Sequence, residues 1–97
     1  YKIFSTFTGA GGLDIGFHGN FNFLAHEYPK LPFSTEQVIE FNNDAVKSII
    51  HNKKYFPNIN KNLEAKDITK NINDELKKYK PFEYDVLLGG FPCVTFS

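Results

Sequence analysis

The spacing of apolar positions along the chain predicts four strands. Residues 2–7 (KIFSTF) form a short, β-prone run before a glycine cluster, and residues 84–88 (YDVLL) form the clearest strand, apolar almost throughout. Residues 35–41 predict another strand, and residues 62–66 predict a weak one.

Helical segments separate these strands. Residues 11–18 suit a short helix that begins at the glycines, and residues 70–79 suit another. In residues 43–53 the apolar side chains fall at helical spacing, with Asn43 as the predicted N-cap. Residues 19–34 predict irregular structure because glycine, asparagine and proline interrupt them.

The resulting order, β-α-β-α-β-α-β, predicts an α/β fold with about four parallel strands joined by crossover helices. Ligands of such sheets bind beyond the carboxyl ends of the strands. The residues that follow each predicted strand are therefore the candidates for chemistry.

The first strand is followed by residues 7–12 (FTGAGG), a glycine-rich turn in front of a helix. Small residues and free helix N–H groups allow a ligand to approach the backbone. The turn is not the dinucleotide fingerprint GxGxxG, because Asp14 stands at the sixth position. A tight strand-to-helix turn without a ligand explains the glycines about as well.

Carboxylates follow the second and third predicted strands. Glu40 is placed to accept hydrogen bonds from ribose hydroxyls, and Asp67 with Ile68 to accept from an adenine amino group and pack on its ring. Each has an ordinary alternative. Glu40 alone is consistent with a solvated strand end, and Asp67 with the cap of the next helix.

The last predicted strand leads into residues 89–97 (GGFPCVTFS), where Cys93, the sole cysteine, follows Pro92. A thiolate beyond a strand end is a candidate nucleophile, whereas a buried inert cysteine is the alternative. One cysteine forms no internal disulfide, and no Cys/His pattern indicates zinc, so we predict no metal site and a reducing compartment.

Length and charge limit the function classes. The 97 residues allow one small domain, and 11 basic residues balance 11 acidic ones. A free-standing nucleic-acid binder usually carries a basic excess, so most phosphate contacts would have to come from elsewhere. No apolar run approaches the roughly 18 residues that a membrane span needs, which predicts no membrane partner.

The strand-end residues resemble the motifs of the DNA (cytosine-5) methyltransferases. Residues 7–12 are similar to the first motif of that family, residues 40–42 to the second, residues 67–68 to the third and residues 90–97 to the fourth. The order matches that of the family and the spacing roughly does. Two positions depart from the pattern: Ser5-Thr6 stand where the family often has Asp, and Val94 stands where it usually has Gln.

The resemblance implies a Rossmann-like fold that binds S-adenosylmethionine. It places the cofactor-binding positions on Phe7, Gly9, Gly11, Gly12, Glu40, Asp67, Ile68 and Pro92, and the catalytic nucleophile on Cys93. In these roles Phe7 packs against adenine, Glu40 holds the ribose, and the glycine backbone approaches the methionine moiety. Residues 19–34 are longer than expected between the first two motifs, and we expect them to pack Phe21, Phe23 and Tyr28 near the cofactor.

The resemblance also implies methyl transfer to carbon 5 of cytosine in double-stranded DNA through a covalent adduct with Cys93. A bacterial cytoplasmic location follows, and a restriction-modification partner is left open. The family's later Glu-Asn-Val and arginine motifs and its target-recognition region are absent from residues 1–97. We therefore expect an N-terminal part of the catalytic domain that is inactive alone.

Three other functions stay open on the sequence. The chain is compatible with a non-catalytic nucleotide-binding or scaffold module in which Cys93 is incidental. It is also compatible with an RNA cytosine-5 methyltransferase of the same fold. Half of an NAD-dependent oxidoreductase is the third alternative, although the missing fingerprint glycine argues against it.

Overall fold

The computed structural model describes residues 1–60, 62–70 and 72–90, which form five strands and three helices. In chain order the elements are β1 (Lys2–Thr6), α1 (Gly12–His18), β2 (Phe21–Phe23), β3 (His26–Tyr28), β4 (Ser34–Ile39), α2 (Asn43–His51), α3 (Ile72–Leu76) and β5 (Val86–Gly89). The predicted α/β class is confirmed.

A parallel sheet with the order β4-β1-β5 forms the centre of the molecule. Ile3 of β1 lies opposite Thr35 of β4 and Val86 of β5, and a register shift follows between Ile3 and Phe4 on the β4 side. Because all three strands run the same way, their last residues share one side of the sheet. We call this side, formed by the ends of β1, β4 and β5, the carboxyl edge.

Both faces of β1 are covered, which explains why its side chains are buried from residue 3 to residue 6. On one face, Val38 of β4, Ile49 of α2 and Phe56 form a buried cluster against which Ile15 of α1 packs. On the other face, the ring of Phe4 lies 4.8 Å from that of Tyr79 in an edge-on arrangement. The apolar run at the start of the sequence is thus the core strand.

Helix boundaries differ from the predictions for local reasons. The N-cap of α2 is Asn42 rather than Asn43, and its side-chain oxygen accepts from Asp44 N at 2.9 Å and Ala45 N at 3.1 Å. The helix predicted over residues 70–79 is confined to α3, because a turn held by the Asp67 side chain occupies the preceding residues.

The prediction of a strand over residues 62–66 is wrong, and the described part of the chain has three parallel strands where about four were predicted. Asn60 turns the chain here: its carbonyl accepts from Leu63 N at 3.1 Å and its side chain from Asn62 N at 2.9 Å. The backbone groups that a ladder would use are partly engaged locally. Only near its end does the segment reach the sheet, where Lys66 N donates to Glu40 O at 2.9 Å.

Residues 19–34, predicted to be irregular, contain the antiparallel hairpin β2–β3. Its turn is formed by Leu24 and Ala25, both in the left-handed region with φ of 49° and 62°. This is the backbone of a two-residue hairpin turn that normally favours Asn-Gly.

The hairpin lies at the end of the sheet opposite the carboxyl edge. α1 starts at the carboxyl edge and ends at His18, whose ring contacts Thr35 near the start of β4. The hairpin region is attached beyond this helix end, since Leu31 N donates to His18 O at 2.8 Å and Tyr55 Oη to Asn20 O at 3.1 Å.

Candidate functional site at the carboxyl edge

The glycine loop (residues 7–11) leaves β1 at the carboxyl edge with three residues in the left-handed region. These are Phe7 (φ 50°), Gly9 (φ 59°) and Gly11 (φ 94°). Gly11 N donates to Thr8 O at 3.1 Å and closes the turn. The loop therefore has a backbone that is unfavourable for most L residues, and Phe7 adopts it without being glycine.

The predicted glycines differ in their surroundings. Among the described residues, a Cβ atom at Gly9 or Gly12 would meet nothing within 4 Å, so both positions leave room there for a ligand. A Cβ atom at Gly11 would instead overlap the buried ring of Phe56. Gly11 is thus required for packing of the loop on the core.

Glu40 ties the glycine loop to the end of β4. Its Oε1 accepts from Gly9 N at 2.8 Å and its Oε2 from Asn42 N at 2.8 Å, and the residue is buried. Each carboxylate oxygen can accept more than one hydrogen bond. Glu40 therefore shapes the loop and still has capacity to accept from a ligand.

A small surface cleft brings together four of the residues predicted from the strand ends. We call it the carboxyl-edge cleft; its lining residues are Phe7, Ile39, Glu40, Phe41, Lys66, Asp67 and Ile68. Apolar rings and aliphatic chains beside two carboxylates suit a flat ring joined to a hydroxylated group. Lys66 and Ile39 had no distinguishing sequence signal apart from their neighbours, whereas Phe41 lies within the second motif.

Asp67 and Lys66 are held in place by different partners. Asp67 is exposed, and its Oδ1 accepts from Thr69 Oγ1 at 2.7 Å and Thr69 N at 2.9 Å, which lowers the pKa of the carboxyl below its usual range. The amine of Lys66 donates to both oxygens of Glu75 at 3.0 Å.

Glu75 of α3 is the centre of a cluster beside this segment. Burial would raise the pKa of Glu75, but hydrogen bonds from Lys66, Tyr79 and Lys78 outweigh it and hold the pKa at about 2. Burial, together with the hydrogen bond to Glu75, raises the pKa of Tyr79 well above its usual value. α3 is thereby fastened to the segment that carries Asp67.

Asp14 on α1 is the centre of a buried polar network behind the glycine loop. Its Oδ1 accepts from Ser5 Oγ at 2.9 Å and its Oδ2 from Thr35 Oγ1 at 2.7 Å. Ser5 Oγ lies 3.0 Å from Thr8 Oγ1, and His18 Nε2 lies 2.7 Å from Thr35 Oγ1. Burial lowers the pKa of His18, and the nearby Asp14 offsets this only in part.

Sequence reasoning missed this network, because Asp14 was noted only as the residue that breaks the dinucleotide fingerprint. Its partners are spread over β1, the glycine loop and β4. A short polar residue on each of these segments is too common to indicate a network.

Two predicted site residues, Pro92 and Cys93, lie outside the described residues. The strand before them does reach the carboxyl edge, since Gly89 of β5 pairs with Thr6 and Thr6 Oγ1 donates to Leu88 O at 2.9 Å. Gly90 then continues from that edge.

Phe21, Phe23 and Tyr28, which we expected to lie near the cofactor, do not line the carboxyl-edge cleft. Phe21 and Tyr28 stack on each other across the hairpin, with ring centroids 4.9 Å apart, and Phe23 is exposed.

Within residues 1–60, 62–70 and 72–90, no group of three or more His, Cys, Asp or Glu side chains is arranged to hold a metal ion. Among those same residues, no helix has the length and apolar character needed to cross a membrane.

Comparison with known proteins gives one family. The profile of the family described as C-5 cytosine-specific DNA methylase matches residues 1–97. The chain is 33% identical over 96 residues to Type II methyltransferase M.AquIA of Picosynechococcus sp., an alignment that covers 99% of this chain and 34% of that protein. It is 31% identical over 97 residues to Type II methyltransferase M.Sau96I of Staphylococcus aureus, covering 100% of this chain and 19% of that protein. No solved structure gives a significant match.

Proposed function

The chain belongs to the C-5 cytosine-specific DNA methylase family, and we propose that it is the N-terminal, cofactor-binding part of a DNA (cytosine-5) methyltransferase catalytic domain. The observation that carries this proposal is the meeting of Phe7, Glu40, Asp67 and Ile68 in the carboxyl-edge cleft. In the proposal the three parallel strands belong to a Rossmann-like sheet, whose ligands bind at this edge.

The residues of the cleft fit S-adenosylmethionine, which supplies an electrophilic methyl group when bound. Phe7 and Ile68 offer apolar surface to the adenine ring, and Asp67 offers an acceptor for its amino group. Glu40 has unused lone pairs for the ribose hydroxyls, and Gly9 leaves open space for the methionine part.

We assign the nucleophile to Cys93 and a place beside it to Pro92, at the border of cofactor and base. The target cytosine must leave the duplex to be reached. The thiolate of Cys93 forms a bond to carbon 6, which raises the electron density on carbon 5. Carbon 5 then attacks the methyl group, whose bond to the sulfonium breaks so that S-adenosylhomocysteine is the leaving group. A base outside residues 1–97 takes the proton from carbon 5, and the electron pair left behind breaks the bond from carbon 6 to sulfur and restores the thiolate of Cys93.

The remaining catalytic groups and the DNA-recognition region are proposed to lie outside residues 1–97. The chain spans 34% and 19% of the two relatives, which supports this division. Both relatives are named Type II methyltransferases, which favours double-stranded DNA as the partner, a restriction-modification setting and a bacterial cytoplasm.

Replacement of Glu40 tests the cofactor site. Glu40→Gln keeps the size of the side chain but removes its charge and one of the acceptors used by Gly9 N and Asn42 N. We expect the Kd for S-adenosylhomocysteine, measured by calorimetry on the full-length protein, to rise about tenfold or more.

Glu36→Gln is the matched control, because Glu36 lies on β4, the strand that Glu40 directly follows, and does not line the cleft. It is expected to leave the Kd unchanged. A wild-type protein that prefers NAD to S-adenosylhomocysteine would contradict the proposal, as would wild-type affinity in Glu40→Gln.

A further inference from the structure

We propose that Asp14 is a positioning residue for the cofactor. Acting through Ser5 and Thr8, it holds the glycine loop in the backbone conformation that presents Phe7 to the carboxyl-edge cleft. The inference rests on the proposed function, because it assigns a role in cofactor binding to a residue that does not line the cleft.

The hydrogen bonds from the loop to Asp14 run in one direction. A serine hydroxyl has one hydrogen, and that of Ser5 is donated to Asp14 Oδ1 at 2.9 Å. The contact of 3.0 Å between Ser5 and Thr8 must therefore be a donation from Thr8 to Ser5. Asp14 is thus the final acceptor of a chain that starts on the glycine loop.

The carboxylate of Asp14 is also held by a hydrogen bond from β4. Its other oxygen accepts from Thr35 Oγ1 at 2.7 Å, and Thr35 is fully buried in β4. Since Asp14 lies on α1 and Ser5 on β1, the carboxylate joins three elements at the base of the loop. A movement of Asp14 would be transmitted to Thr8.

A hydrogen bond to the side chain of Thr8 is well placed to fix the backbone of the glycine loop. It lies between two left-handed residues, Phe7 and Gly9, and its carbonyl accepts from Gly11 N at 3.1 Å. A left-handed phenylalanine is disfavoured unless its surroundings impose it. Glu40 holds the glycine loop by accepting from Gly9 N. The hydrogen bonds that run through Ser5 to Asp14 hold the same loop at the side chain of Thr8.

The network is poorly explained by stability alone. Asp14 and Ser5 are both 1% exposed, and buried polar groups seldom stabilise a core more than apolar side chains of the same size. What a satisfied polar network does provide is a single arrangement of the groups it joins. Here the group at its end is the loop that contributes to the cofactor cleft.

The test uses substitutions at Thr8 and Asp14 in the full-length protein. Thr8→Val keeps the shape of the side chain and removes its hydroxyl, whereas Thr8→Ser keeps the hydroxyl. We expect the Kd for S-adenosylhomocysteine to rise about tenfold in Thr8→Val and at least as much in Asp14→Asn. In Thr8→Ser it should stay within about twofold of wild type.

Ile49→Val is the control for lost stability, because Ile49 is fully buried in α2 and does not line the cleft. It is expected to lower the Tm by a few degrees and to leave the Kd unchanged. All Kd values are measured well below the Tm of each variant, so that the folded fraction is the same.

Wild-type affinity in Thr8→Val would overturn the inference while leaving the proposed function intact. A Kd that rises as much in Ile49→Val as in Thr8→Val would also overturn it, since the effect would then follow stability. If Asp14→Asn does not fold, the comparison of Thr8→Val with Thr8→Ser decides. Failure of the wild-type protein to bind S-adenosylhomocysteine would remove the proposed function, and this inference with it.

Discussion

At the scale of single residues, Gly11 and Gly12 are adjacent but differ in what they tolerate. Gly11 has φ of 94°, and a Cβ atom there would lie 2.8 Å from Phe56 Cε2. We expect Gly11→Ala to lower the free energy of unfolding by about 2–3 kcal/mol, from overpacking and an unfavourable backbone angle. Urea denaturation measures this change.

Gly12→Ala provides the comparison, because Gly12 lies in α1 and its Cβ position is open. Its effect on the free energy of unfolding should stay within about 1 kcal/mol. Equal losses in the two variants would show that the contact with Phe56 is not what requires glycine at residue 11.

Residue identities at the strand ends predicted much of the site. Phe7 and Glu40 meet because β1 and β4 are parallel and end on one side of their sheet, which needs only the order of elements. Asp67 and Ile68 reach the same cleft without a strand before them, on a segment attached to the end of β4 where Lys66 N donates to Glu40 O. Asp14 was not predicted in its role. Its hydrogen bonds join residues far apart in sequence, and hydroxyl and carboxylate side chains leave no periodic pattern. Pro92 and Cys93 stay predictions.

At the scale of elements, Glu75 is the contact that fastens α3 to the segment carrying Asp67. Its carboxylate accepts from Lys66 and Lys78 at 3.0 and 3.1 Å. The folded pKa of about 2 lies below the ordinary value of 4.5, so the charged form stabilises the fold above pH 4.5. That contribution is lost progressively as the pH falls from 4.5 towards 2.

We therefore expect Glu75→Gln to lower the free energy of unfolding at pH 7 by about 1–2 kcal/mol. The full shift would give roughly 3 kcal/mol, but both lysines are partly exposed and the pairs are screened by solvent. The difference from wild type, measured by urea denaturation, should shrink as the pH falls below 4.5.

Asp74→Asn removes a carboxylate from an exposed position of the same helix and is expected to have little effect. A loss in Glu75→Gln that is the same at pH 7 and pH 3.5 would show that packing, and not the charge of Glu75, is responsible.

Elements with a strong apolar pattern were predicted, and elements that depend on other contacts were not. β1, β4 and β5 agree with the predicted strands to within a few residues. The hairpin β2–β3 was missed because its turn is Leu24-Ala25, which lacks the Asn-Gly signal. The weak strand over residues 62–66 was wrongly predicted, because the residues of that segment do not show that a turn at Asn60 engages its backbone.

At the scale of the whole molecule, the proposed reaction needs Cys93 together with parts outside residues 1–97. We expect the full-length protein to form a denaturation-resistant complex with double-stranded DNA containing 5-fluorocytosine when S-adenosylmethionine is present. Fluorine on carbon 5 blocks the elimination that would release the thiolate. Gel electrophoresis of the complex under denaturing conditions measures the trapping.

Cys93→Ser should fail to trap DNA while still binding S-adenosylhomocysteine, which shows that its cofactor site is intact. Residues 1–97 alone should neither trap DNA nor transfer a methyl group. Trapping by Cys93→Ser would exclude the proposed nucleophile, and turnover by residues 1–97 would contradict the proposed division of the enzyme.

The position of β1 in the sheet has a consequence for biosynthesis. β1 is translated before β4 and β5, yet it lies between them in the described sheet, and Ile3 pairs with Val86 on one side. At about 5–20 residues per second, β5 is translated roughly 4–16 s after its partner. During that interval β1, which is buried from residue 3 to residue 6 in the folded protein, has one unpaired flank, so the nascent polypeptide is expected to be open to strand pairing with other chains there.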